Sequence, residues 1–164
     1  MARDKQERRR EEGQRLTQLL VDHLGRLSLE LGQDRVHFGI EPGDGEFYTT
    51  IVSLTPTKSG TAPVKAYVYE GDPTTVYLGL GDSTWIEVFG TRTVEALVAR
   101  IAELVDLVRR GRFKEKIWSR RGKVTDTHGR IQLENGRWRL IGRLNRPLLT
   151  WGYRVEHRAY APWD

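Results

Sequence analysis

The apolar positions of this chain fall into two helical stripes separated by a long run of strand-like alternation. From Gln14 onward Leu16, Leu19, Leu20, Leu24, Leu27 and Leu31 recur at helical spacing, which predicts an amphipathic helix with one apolar face. Gly32 supplies its stop, because glycine enters the left-handed conformation without a Cβ clash, while Gly25 weakens its middle. The second stripe is Val94, Leu97, Val98, Ile101, Leu104, Val105 and Val108. Thr93 precedes it as an N-cap, Glu95 lies at the positive end of the helix dipole, Arg109 and Arg110 lie at the negative end, and Gly111 ends it.

Between the stripes the period is two. Val36, Phe38 and Ile40 alternate with polar or small neighbours, and 42–45 (Pro-Gly-Asp-Gly) reads as a turn. Segments 47–54, 64–69, 75–80 and 84–89 are rich in aromatic and β-branched residues and are joined by short polar links, which predicts an antiparallel meander of five strands. After the second helix the pattern returns to strand. Segment 113–119 alternates, and Asn135-Gly136 between 131–134 and 137–140 is a strong short-range hairpin signal. Asp126-Thr127-His128-Gly129 has turn composition, and 153–160 reads as a last edge strand.

These elements predict an α+β fold of order α-β5-α-β3/4, with two helices packed on one face of a mainly antiparallel sheet. Residues 113–164 read as a basic, β-rich extension of the same sheet and domain. Residues 1–13 read as a charged, flexible N-terminal segment ahead of a single domain spanning 14–164.

Composition narrows the class. With 38% hydrophobic and 30% charged residues, and no run near the ~18 apolar residues of a spanning helix, no membrane partner is expected. Residues 1–12 lack the apolar core of a secretory signal, so a cytoplasmic location is expected. The chain has no cysteine, which excludes disulfides, thiolate zinc sites and cysteine nucleophiles.

Charge changes the picture more. Residues 1–91 carry ten Lys/Arg against fourteen Asp/Glu, whereas 92–164 carry seventeen against eight. Between Arg109 and Arg146 thirteen basic residues face only Glu115, Asp126 and Glu134, an asymmetry that suits a polyanion or an acidic protein surface. The candidate anion- or nucleic-acid-binding residues are Lys114, Lys116, Arg120, Arg121, Lys123, Arg137, Arg139 and Arg143. Arginine offers bidentate donors to phosphate, and clustered cations displace condensed counterions. Trp118, Trp138 and Trp151 are candidate stacking platforms for unpaired bases. A solvated cationic face over core tryptophans accounts for the same residues, and no helix-turn-helix, zinc finger or RNP-type motif accompanies them.

Other constellations carry less chemistry. His23, His37, His128 and His157 form no metal-ligand spacing, so no catalytic residue, cofactor or metal set is nominated. Segment 79–84 (Gly-Leu-Gly-Asp-Ser-Thr) looks superficially like a phosphate loop but lacks its lysine and following helix, so a hairpin turn explains it better. Tyr67, Tyr69 and Tyr77 share strand parity that sets them on a helix-free sheet face suited to protein or peptide contact.

The favoured reading is a non-catalytic binding module whose basic third holds an anionic partner, nucleic acid first. The alternative is a protein–protein interaction module (adaptor, inhibitor or chaperone-like) working through the aromatic face or a sheet edge, homodimerisation included. An enzyme without a recognisable motif stands third.

Overall fold

The computed structural model describes residues 2–143 and 152–164. Along the chain it runs α1 (Ala2–Leu31), β1 (Val36–Pro42), β2 (Thr50–Pro56), β3 (Val64–Val68), β4 (Val76–Leu80), β5 (Thr84–Val88) and α2 (Val94–Arg109). It continues with β6 (Phe113–Arg120), β7 (Lys123–Gln132), β8 (Trp138–Arg143) and β9 (Arg154–Ala159). The fold is α+β with antiparallel pairing in every ladder.

The first five strands form a meander in the order β1-β2-β3-β4-β5. One face is a continuous apolar layer: Val52 and Leu54, then Val64, Ala66 and Val68, then Val76, Leu78 and Leu80, all fully buried. Both helices lie on that layer. Leu16, Leu20 and Leu24 of α1 and Leu97, Ile101, Val105 and Val108 of α2 complete one core with it. The predicted cap holds: the Thr93 hydroxyl accepts from the Ala96 amide at 3.2 Å, and Gly111 follows the last turn with φ of +70°. Helix α1 reaches back to Ala2, well ahead of Gln14 where its stripe starts, and the residues from Asp4 to Glu12 are exposed.

The C-terminal third departs from the expected continuation of the first sheet. Strands β6–β9 form a four-stranded sheet of their own, in the order β8-β7-β6-β9. Its inner face sends Phe113 and Ile131 into the common core, so the two sheets share one hydrophobic interior. The last residues return to the first half, where Trp163 is buried and its indole donates to the Ala62 carbonyl at 3.0 Å. The predicted turn at 126–129 lies inside β7, and the chain reverses instead at Arg121-Gly122. Both residues have positive φ (+51° and +76°), as the two-residue turn that matches strand twist requires. The Asn135-Gly136 hairpin forms between β7 and β8, with the Gly136 amide donating to the Leu133 carbonyl at 2.9 Å.

Candidate functional site

Strand register lays out the face of the first sheet that the helices leave uncovered. One row across it reads Glu41, Ile51, Tyr67, Tyr77 and Glu87; the next reads Gly39, Ser53, Lys65, Gly79 and Trp85. Tyr48 lies over the first row, its ring centroid 5.1 Å from Tyr67 and 6.0 Å from Tyr77, and Tyr67 lies 4.5 Å from Trp85. Within this packed group Tyr48 and Tyr67 are half-buried while Tyr77 and Trp85 stay 38% and 42% exposed; Tyr69, outside the ring contacts, is also exposed. The loop that carries Tyr48 is held by Asp44, whose Oδ1 accepts the amides of Phe47 at 2.8 Å and of Glu46 and Tyr48 at 3.1 Å. Those bonds favour the carboxylate and hold the Asp44 carboxyl below its ordinary value. The Tyr77 hydroxyl donates to Glu87 at 3.2 Å, and burial followed by the Glu87 charge pushes this phenol up, so it remains a neutral donor. Acidic side chains therefore stand at both ends of the aromatic row.

The second sheet sorts the basic candidates by parity. Lys114 and Lys116 project from β6 on its solvent side, where β7 adds His128 and Arg130 and β9 adds His157. Trp138 stands on the same side, 41% exposed, with the Lys114 ammonium 3.7 Å above its ring. Trp118 is only 5% exposed and packs against His128 with ring centroids 4.4 Å apart, so it is a supporting core ring and no stacking platform for a base. Arg139 points to the other side of β8, and Arg137 is exposed in the hairpin loop. Arg120, Arg121 and Lys123 surround the tip of the β6–β7 hairpin and are all exposed. The nominated set is thus divided among one sheet face, its reverse and a hairpin tip. Arg143 ends β8 opposite His128 in the register, its side chain lying outside the described residues, as does Trp151.

Arg130 was not nominated. Its signal was the alternation His128, Arg130, Gln132, which the turn-like composition of 126–129 conceals.

Between the two sheets a cleft of about 520 Å³ separates the edge strands β5 and β8. Leu104, Leu107, Leu133 and Ile141 line it together with Arg100 and Arg139. Gly142, also in its lining, approaches β5 so near that a Cβ there would lie 2.6 Å from the Trp85 carbonyl oxygen.

The buried carboxylate of Glu115 has structural partners. Glu115 points inward from β6 and accepts the amides of Asp82 (3.2 Å), Ser83 (3.1 Å) and Thr84 (2.6 Å), together with the Tyr160 hydroxyl. The glycine-rich turn at 81–84 therefore does cradle an anion, and that anion is the protein's own side chain. Asp126 is fully buried with Oδ2 3.4 Å from His128 Nε2, and neither of its oxygens accepts a hydrogen bond among the described residues. Among the described residues no group of three or more His, Asp or Glu gathers to hold a metal, and no helix is long and apolar enough to cross a membrane.

Comparison with protein-family models, with curated proteins and with solved structures gives no match to this chain.

Proposed function

We propose that the protein is a non-catalytic binding module that holds an extended peptide segment of a protein partner on the open face of its five-stranded sheet. The observation that carries this reading is the cluster Tyr48, Tyr67, Tyr77 and Trp85 opposite both helices, packed ring on ring with Tyr77 and Trp85 exposed and Tyr48 and Tyr67 half-buried. Exposed aromatic area of this kind is costly to leave in water and gives large contact energy at low side-chain entropy cost. Glu41 and Glu87 at the ends of the row select for basic side chains, which also gain from lying over the tyrosine and tryptophan faces.

The test is selection of dodecapeptides from a random library on the immobilised protein, repeated on a Tyr77→Ala/Trp85→Ala double variant. Enrichment of Lys- or Arg-containing sequences that bind wild type and lose about tenfold or more on the variant supports the reading. Enriched peptides that bind both proteins equally, or no enrichment at all, would remove it.

A second reading rests on Lys114, Lys116 and Arg130, which share the solvent face of the second sheet and have no ion pair among the described residues. This face suits a polyanion, nucleic acid above all. Fluorescence anisotropy with labelled single- and double-stranded oligonucleotides tests it. Affinity should fall linearly in log salt with a slope of about −0.7 to −0.9 per phosphate contacted, and should disappear in Lys116→Glu/Arg130→Glu.

A further inference from the structure

The geometry points to a pocket for a single phosphate group on the solvent face of the second sheet, built by Lys114, Lys116, His128, Arg130 and His157. This inference deepens the polyanion reading of the same face: it assigns a discrete site with a phosphate monoester as ligand, where the broader reading requires only a charged track.

Three strands converge on the site. Lys116 stands in register with His128 on one side and His157 on the other, so a single row across β7, β6 and β9 sets an ammonium between two imidazoles, of which His157 is exposed while His128 turns its Nε2 to the buried Asp126 carboxylate. Lys114 and Arg130 are paired in the next row along the same strands. Neighbouring strands are about 4.8 Å apart, so the two rows surround a space matched to a tetrahedral oxyanion several ångströms across. The five side chains border a cavity of about 270 Å³, which leaves room beyond the phosphate for an ester substituent or for waters.

The cations Lys114, Lys116 and Arg130 make no ion pair among the described residues, while His128 is engaged by Asp126. Lys114 and Lys116 are positioned by aromatic rings, 3.7 Å over Trp138 and 4.7 Å over Trp118. A ring face holds an ammonium in place without cancelling its charge. Glu115 also borders the cavity, but its carboxylate is turned to the opposite face and engaged by three amides. The Asp126 carboxylate is fully buried beneath His128 and has no surface from which to meet a ligand. Arg130 brings a planar donor pair suited to two oxygens of one phosphate, and the lysines act as point charges beside it.

The experiment is titration of the full chain, isotope-labelled for NMR, with inorganic phosphate against chloride at constant ionic strength. Two further probes are the same oligothymidylate bearing a 5′-phosphate or a 5′-hydroxyl. The expected result is saturable, one-to-one shifts at Lys116, Arg130 and His157 with phosphate only. Affinity should weaken about tenfold or more in Arg130→Ala, less in Arg130→Lys, and not at all in Arg120→Ala at the hairpin tip. Arg130 is exposed, so the fold tolerates its loss, which the unchanged spectrum of distant residues verifies. Phosphate shifts that grow linearly and match those of chloride would overturn the pocket, as would saturable shifts indifferent to Arg130→Ala. Tight oligonucleotide binding that ignores the 5′ group and is not displaced by free phosphate would keep the polyanion track and eliminate the pocket. Saturable phosphate binding with no oligonucleotide binding of either kind would establish the pocket and end the nucleic-acid reading.

Discussion

Replacing Glu115 by glutamine tests how the two sheets are held together. Oε1 accepts the amides of Ser83 and Thr84, and Oε2 accepts the amide of Asp82 and the Tyr160 hydroxyl. Glutamine keeps an oxygen for Ser83 and Thr84 but turns an NH2 toward the Asp82 amide, so a donor meets a donor. Tyr160 adapts, because a hydroxyl can accept where it formerly donated. Two charge-assisted bonds thus become neutral, at about 1 kcal/mol each, and the Asp82 amide is left with its 3.2 Å bond to the Tyr160 hydroxyl alone, at a further cost of about 0.5 kcal/mol. The released desolvation cost of the carboxylate offsets some of this, leaving a destabilisation of about 2 kcal/mol. Glu115→Ala also strips the buried Thr84 amide and opens a void, and is expected to cost about 4 kcal/mol. For a domain of this size the glutamine variant should melt about 4–8 °C lower. Equilibrium urea unfolding followed by fluorescence is the assay, with the midpoint expected to fall at unchanged slope. A glutamine variant within about 0.5 kcal/mol of wild type would refute the reasoning, since it would mean that water serves these amides equally well. An alanine variant no worse than glutamine would do the same.

Three other outcomes follow from the geometry. Asp44 is held below its ordinary value of 3.8, chiefly by the Phe47 and Tyr48 amides, so the order it gives the Tyr48 loop is present above that pH and lost as pH falls through the lower folded value; Asp44→Asn should abolish this acid-range change in the Phe47 and Tyr48 amide shifts. Gly13→Ala adds helix propensity of about 1 kcal/mol in α1, yet its new Cβ would overlap the Glu70 carbonyl, so thermal melting should show a loss of stability where propensity alone demands a gain. Arg121 has φ of +51° in the β6–β7 turn, and Arg121→Asn, which tolerates that region better, should raise stability by about 0.5–1 kcal/mol in urea unfolding.

What could be read from the sequence was local. The leucine stripe of α1, the Thr93 cap and the Asn135-Gly136 reversal each depend on residues within a few positions of one another. The alternation of 36–40 and 64–69 likewise sets side-chain parity, and hence the open tyrosine face, without knowledge of distant partners. Strand order in the second sheet is different in kind. The order β8-β7-β6-β9 seats the last strand beside β6, across the sheet from its predecessor β8, and only that pairing sets His157 beside Lys116. Arg137 and Arg139 stood out as a cluster because they are close in sequence, yet Lys114 and Lys116 come from β6, Arg130 from β7 and the neighbouring His157 from β9. At 126–129 local preference misled outright: residues common in turns were drawn into β7 because the reversal at Arg121-Gly122 had already fixed the register.

Composition also understates how positive the second sheet is toward solvent. Formal counting sets Glu115, Asp126 and Glu134 against the basic residues of 109–146, as if each carboxylate cancelled a neighbour. The fold assigns them elsewhere. Glu115 is turned inward to the 81–84 turn, Asp126 is sealed beneath His128, and Glu134 lies 3.3 Å from Arg110 and 3.0 Å from Arg112, at the far end of the hairpin. Asp126 shares the sheet face of Lys116 and Arg130 but is fully buried against His128, and none of the three pairs with Lys114, Lys116 or Arg130 among the described residues. The Lys-Glu-Lys sequence at 114–116 looks like a self-neutralising surface run, but strand alternation separates its signs onto opposite faces, one solvated and one buried. The half-buried Lys114 and Lys116 lie over aromatic rings, which position them without cancelling their charge, and Arg130 is exposed beside them. A solvent-facing array of that composition attracts counterions whether or not it has a specific ligand, so discrimination between phosphate and chloride is the property that separates a built site from a merely charged surface.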